Sequence, residues 1–77
     1  MAIIDSIENT WSSPVVLATD EIWQTRFGSV FLTTSASPSA NDGISLTEGQ
    51  AVHVRAGLSV RVRKEGGTAA RIAHEAV

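Results

Sequence analysis

The sequence contains no cysteine and no tyrosine. Without cysteine the chain forms no disulfide and no thiolate metal site. It has two histidines, His53 and His74, far apart and without a spaced partner motif. A structural zinc site is therefore not expected, and no residue set suggests a cofactor. Long hydrophobic runs are also missing. The longest aliphatic run covers residues 15–18, far short of the length that spans a bilayer. Residues 1–13 carry no basic stretch followed by an apolar one, so no targeting signal is expected. These absences lead us to expect a soluble chain made in the cytoplasm, with no membrane partner.

What remains is a chain of 77 residues with net charge −2. One domain of this size buries only about 60% of the surface that its unfolded chain exposes. Small domains add disulfides, a metal or a partner subunit. The first two are set aside above, which leaves association with further copies.

Charge is unevenly placed. Residues 1–50 hold six acids (Asp5, Glu8, Asp20, Glu21, Asp42, Glu48) and one base, Arg26. Residues 51–77 hold five bases (Arg55, Arg61, Arg63, Lys64, Arg71) and two acids, Glu65 and Glu75. Such a chain is either dipolar and suited to contacts between copies, or has its two halves side by side and neutralised.

The strongest local pattern lies within residues 43–63. Val52-His53-Val54-Arg55 and Val60-Arg61-Val62-Arg63 each alternate strictly, the mark of a half-buried strand. Gly57 between them suits a tight turn. The spacing predicts a hairpin with Val54 opposite Val60, Val52 opposite Val62, and His53 facing Arg61.

Other strands are expected over 15–19 after Pro14, over 22–27, over 30–34, over 44–46 and over 68–73. The second and third of these are expected to pair as a hairpin around Gly28-Ser29. Gly66-Gly67 is expected to turn the last strand back on its predecessor, leaving residues 74–77 as a tail; the alternative for the alanine-rich residues 68–77 is a helix. Residues 35–43 (SASPSANDG) read as a loop. The fold expected is all-β: a small antiparallel β-sandwich or partly open barrel of six to seven short strands. Residues 14–77 form the domain and residues 1–13 an N-terminal arm, either partly extended or with one helical turn, since Ile3, Ile4 and Ile7 have helical spacing. Ile3, Ile4, Ile7 and Trp11 in that arm are costly to leave in water, at roughly 1.5–3 kcal/mol for each large side chain. They pack either on the chain's own core or across a subunit contact.

No catalytic set stands out. Asp20 and Glu21 are adjacent, so on a strand they face opposite ways and cannot act as a carboxylate pair. Asp42 reads as turn chemistry. No serine sits in a Gly-x-Ser-x-Gly elbow, and the two histidines lack an assigned nucleophile and orienting acid. Trp23 reads as core, while Trp11 fits core and interface equally. The set His53, Arg55, Arg61 and Arg63 is either a solvated face, a protein interface or a phosphate-binding strip. The negative net charge and the lack of an aromatic platform beside the arginines argue against nucleic acid. Trp23, Gln24, Arg26 and His53 are candidates to line a small-ligand pocket.

From residue 15 onward a further pattern emerges. Ile22-Trp23 is followed by Gly28 and Val30-Phe31-Leu32-Thr33, then a loop, then Asp42-Gly43-Ile44-Ser45-Leu46-x-x-Gly49. Val52-x-Val54, Val60-x-Val62 and Gly67-Thr68-Ala69-Ala70-x-Ile72 complete it. This order resembles small virion proteins of tailed bacteriophages and of gene transfer agents, chiefly head-spike base and head decoration proteins. The resemblance implies a non-enzymatic capsid component located in the virion and made in the host bacterial cytoplasm. It also implies a homo-trimer or homo-pentamer that contacts other virion proteins such as the major capsid protein, with no nucleic acid partner. Candidate interface residues are Ile3, Ile4, Ile7, Trp11, His53, Arg55, Arg61 and Arg63. The arm matches no part of this pattern. The order also resembles a truncated cupin-like sandwich lacking the clustered histidine and glutamate ligands of cupins. The alternative function is thus a cupin-like or lectin-like module that recognises a sugar or other small ligand.

Overall fold

The computed structural model describes residues 2–5, 7–39, 41–67 and 69–77. Their regular structure is entirely β. The strands are β1 (Ala2–Ile4), β2 (Val15–Val16), β3 (Glu21–Phe27), β4 (Ser29–Thr33), β5 (Ile44–Thr47), β6 (Ala51–Val54), β7 (Ser59–Lys64) and β8 (Arg71–Ala76). They form two four-stranded antiparallel sheets. The first has the order β1-β8-β3-β6 and the second β2-β7-β4-β5. Only β4 and β5 are neighbours both in sequence and in a sheet. Every other connection crosses from one sheet to the other. Eight strands wound in this way make a jelly roll.

The two sheets bury a single core between them. Trp23, Ile72 and Thr25 from the first sheet meet Val30, Leu32, Val60 and Val62 from the second. Period-2 alternation sets these inward faces, as in β7, where Val60 and Val62 are buried between partly exposed neighbours. The buried Thr25 hydroxyl donates to the Leu46 carbonyl at 3.1 Å and so ties the two sheets together. A buried hydroxyl needs such a partner.

The hairpins expected from the sequence are not formed. β6 pairs with β3, whereas β7 lies between β2 and β4. Val54 and Val60 both reach the core, but from opposite sheets. The same holds at Gly28, where β3 passes to β4, and at Gly66-Gly67, where β7 passes to β8. The physical reason is that alternation fixes which residues face inward and leaves the pairing partner open. Two amphipathic strands satisfy one core equally well side by side or face to face. Gly57 does take a positive φ of 88° as expected, but the turn it makes is a corner between sheets.

The last strand starts later than expected and includes His74, Glu75 and Ala76. Thr68, in the expected strand, and Met1, in the expected arm, lie outside the described residues, as do Ser6 and Ala40. The strand expected over 15–19 is regular only at Val15–Val16. Beyond it, Leu17 exchanges backbone hydrogen bonds with the 57–58 corner.

The N-terminal residues line both sheets. β1 adds to β8, with Ile3 opposite Ala73 and Ile4 opposite Ile72. Ile4 packs against the core and Ile7 is part of it. Residues 8–12 then follow β7. Lys64 donates its backbone N–H to Glu8 at 2.8 Å, and Ser12 donates its own to Val62 at 3.0 Å. β1 is the strand beyond the six or seven expected.

Candidate functional site

The four residues expected on one basic strip lie on different sheets. His53 is on β6 in the first sheet, and Arg55 follows it at the corner. Arg61 and Arg63 are on the outer face of β7, opposite Thr33 and Phe31 of β4.

Arg61 and Arg63 hold down other parts of the chain. The Arg61 guanidinium donates to the Ser12 carbonyl at 3.1 Å and to the Ala36 carbonyl at 3.4 Å. It thereby joins the N-terminal segment to the loop between β4 and β5. The Arg63 guanidinium lies 4.2 Å from the Phe31 ring centroid and 5.2 Å from that of Trp11, within reach of a cation–π interaction with each. Trp11 is only partly exposed, and its indole N–H donates to the Ser39 carbonyl at 2.8 Å. These contacts are intramolecular. The period-2 pattern gave the direction of the arginines but carried no sign of what would cover them.

Asp20 and Glu21 do face opposite ways, and each meets a different histidine. Asp20 lies 3.6 Å from His53 at the surface and accepts the Ala56 backbone N–H at 2.8 Å. Glu21, half-buried, is 2.9 Å from His74 Nδ1. His74 also stacks on Trp23. Sequence reasoning missed both pairs because they join distant strands. Neither histidine has a hydroxyl partner among the described residues, and those residues contain no cluster of three or more potential metal ligands.

The proposed pocket set of Trp23, Gln24, Arg26 and His53 is divided. Trp23 is enclosed in the core. Gln24 and Arg26 border a shallow depression of about 60 Å³ with Ile22, Ala73, His74 and Glu75. His53 borders a larger cleft of about 340 Å³, also lined by Leu32, Thr33, Thr34, Ile44, Val52, Val54, Arg55 and Leu58. This cleft opens where the two sheets part between their edge strands, β5 and β6. Its lining is mostly aliphatic, and sequence patterning could not find it because its residues come from both sheets.

The outer face of the first sheet carries exposed apolar residues. Ile3 is 50% and Ile22 43% exposed. In register, Ile22 lies between Glu75 and His53, while Ile3, Ala73, Gln24 and Ala51 form the next row. Among the described residues no helix is long and apolar enough to cross a membrane.

Comparison of the chain with protein-family models, with curated proteins and with solved structures gives no match.

Proposed function

We propose that the chain is a structural subunit of a bacteriophage or phage-like particle. In this reading it is a capsid decoration or head-spike base protein that docks on the shell as a symmetric trimer or pentamer. The observation that carries this reading is the outer face of the first sheet. Ile3 and Ile22 stand in water there, separated by the buried Ala73 and bordered by Glu75 and Arg71, charges of both signs. Exposed isoleucines on one sheet face, bordered by charge, are what a contact between copies would cover. The edges of β5 and β6 add to it. Neither strand carries a proline or a permanent charge, the usual devices that keep an edge from pairing. The jelly roll is a fold found in viral capsid proteins, and the residue order from position 15 resembles that of small virion proteins. Fold alone does not assign function.

The test is the mass of the whole chain in solution at micromolar concentration, by light scattering. A discrete trimer or pentamer is expected. A monomer throughout that range would remove the reading.

A second reading, a small-ligand binding module, is favoured by the cleft between β5 and β6. Its volume of about 340 Å³ falls at the lower end of ligand pockets, and jelly rolls include lectins and cupins.

A further inference from the structure

The cleft between β5 and β6 has an aliphatic floor and, at its mouth, a cation that no described residue engages. Leu32 from the second sheet, Val52 and Val54 from the first and Leu58 from the corner before β7 supply the floor, and the half-exposed Ile44 of β5 stands at the mouth. Arg55 lies at the mouth, exposed. It differs from Arg61, which is bonded to two carbonyls, and from Arg63, which lies between two rings. Among the described residues the Arg55 guanidinium has no acceptor and no acidic partner. The nearby carboxylate of Asp20 accepts the Ala56 N–H and lies 3.6 Å from His53. Thr34, exposed on the same cleft, has a hydroxyl with no partner among the described residues.

We infer that this cleft binds a small amphipathic monocarboxylate, with its hydrocarbon part on the aliphatic floor and its carboxylate on Arg55. The chemistry selects this class in three steps. First, the lining contains no Trp, Tyr or Phe, so a sugar would find no ring to stack on, whereas a hydrocarbon chain would match the floor. Second, a guanidinium presents a planar fork of donors that fits a carboxylate in two parallel hydrogen bonds. Third, Asp20 on the same corner disfavours a ligand with more than one negative charge. The inference rests on the ligand-module reading and gives it a ligand class.

Decanoate is a suitable probe, titrated below its micelle concentration into the whole chain and followed by backbone amide shifts. Saturable shifts are expected at Leu32, Val52, Val54 and Leu58. Decanol, of equal length but uncharged, should bind about tenfold or more weakly, as should decanoate with the Arg55→Gln variant. Arg55 is exposed, so that variant should fold normally, which its unchanged amide spectrum would verify. Ile44→Trp, which places an indole in the mouth, should abolish the shifts. If decanol binds as well as decanoate, or Arg55→Gln binds as well as the parent chain, the carboxylate assignment is overturned and the ligand-module reading survives. If neither compound gives saturable shifts at the cleft, both are overturned.

Discussion

The imidazole of His74 lies flat against the indole of Trp23, with ring centroids 4.1 Å apart and planes 8° from parallel. The two residues are direct partners across β3 and β8. Glu21, two residues before Trp23 on the same face, meets the other side of the histidine through Nδ1 at 2.9 Å. One side chain of β8 therefore contacts two side chains of β3, one through its ring face and one through its edge. Cross-strand contacts of this kind are the unit of sheet stability. The Trp23 N–H has no acceptor among the described residues, so the indole is held by packing.

His74→Ala should remove both contacts and lower the unfolding free energy by about 2 kcal/mol. His74→Phe should keep the stack, lose the bond to Glu21 and cost about 1 kcal/mol. Urea unfolding at constant slope measures both. Equal losses for the two variants would mean that the stack contributes nothing.

Two glycine corners should respond differently to alanine. Both Gly28 and Gly57 have positive φ, at 71° and 88°. A Cβ at Gly28 would lie 2.7 Å from the Ala69 carbonyl oxygen, whereas one at Gly57 would meet nothing within 4 Å. Gly57→Ala should cost about 1 kcal/mol, the conformational penalty alone. Gly28→Ala adds a backbone clash at the corner leading into β8 and should cost about 3 kcal/mol or more. Thermal or urea unfolding of the two variants side by side decides this, and equal losses would contradict the argument.

The inward faces of the strands were legible because alternation is local. Val52, Val54, Val60 and Val62 were placed on the core side by their spacing alone, and all four do pack on the core. Partners were not legible. A glycine turn between two amphipathic strands has the same composition whether it closes a hairpin or crosses between sheets. β1 was also hard to read, because a strand of three residues gives too few positions to separate period 2 from helical spacing. At the candidate site, the opposed directions of Asp20 and Glu21 followed from adjacency. The histidines they meet did not, since Glu21 and His74 are 53 residues apart. The cover over Arg61 and Arg63 comes from Trp11, Ser12, Phe31 and Ala36, and no periodicity in β7 encodes it.

Trp11 should matter to the single chain. Its indole lies against Arg63, bonds Ser39, and leaves Gly43 no room for a Cβ, which would approach the ring at 2.9 Å. Trp11→Ala should lower stability by about 2 kcal/mol and speed amide exchange at Asp42, whose N–H is bonded within the same loop. Trp11→Phe, which removes only the donor and part of the ring, should lose about half as much. Unchanged exchange at Asp42 in the alanine variant would mean that Trp11 does not hold the loop.

Ile22 offers the sharpest separation of association from folding. It is exposed on the outer face of β3, with Glu75 directly opposite on β8 and His53 opposite on β6. Ile22→Lys places an ammonium beside Glu75, so the isolated chain should keep its stability to within about 0.5 kcal/mol. Ile22 is 43% exposed, so in an assembly that covers this face the same change removes about 1 kcal/mol of apolar burial for each copy. It also forces a charge out of water, which adds to the loss. Association should therefore weaken by tenfold or more with little change in the unfolding midpoint of the dissociated chain. Val16→Lys, on the exposed β2 edge of the second sheet, serves as the comparison and should leave association unchanged if the first sheet makes the contact. Light scattering across a concentration series reads both. If Val16→Lys dissociates the assembly and Ile22→Lys does not, copies meet through the second sheet, and the exposed isoleucines of the first are not what joins them.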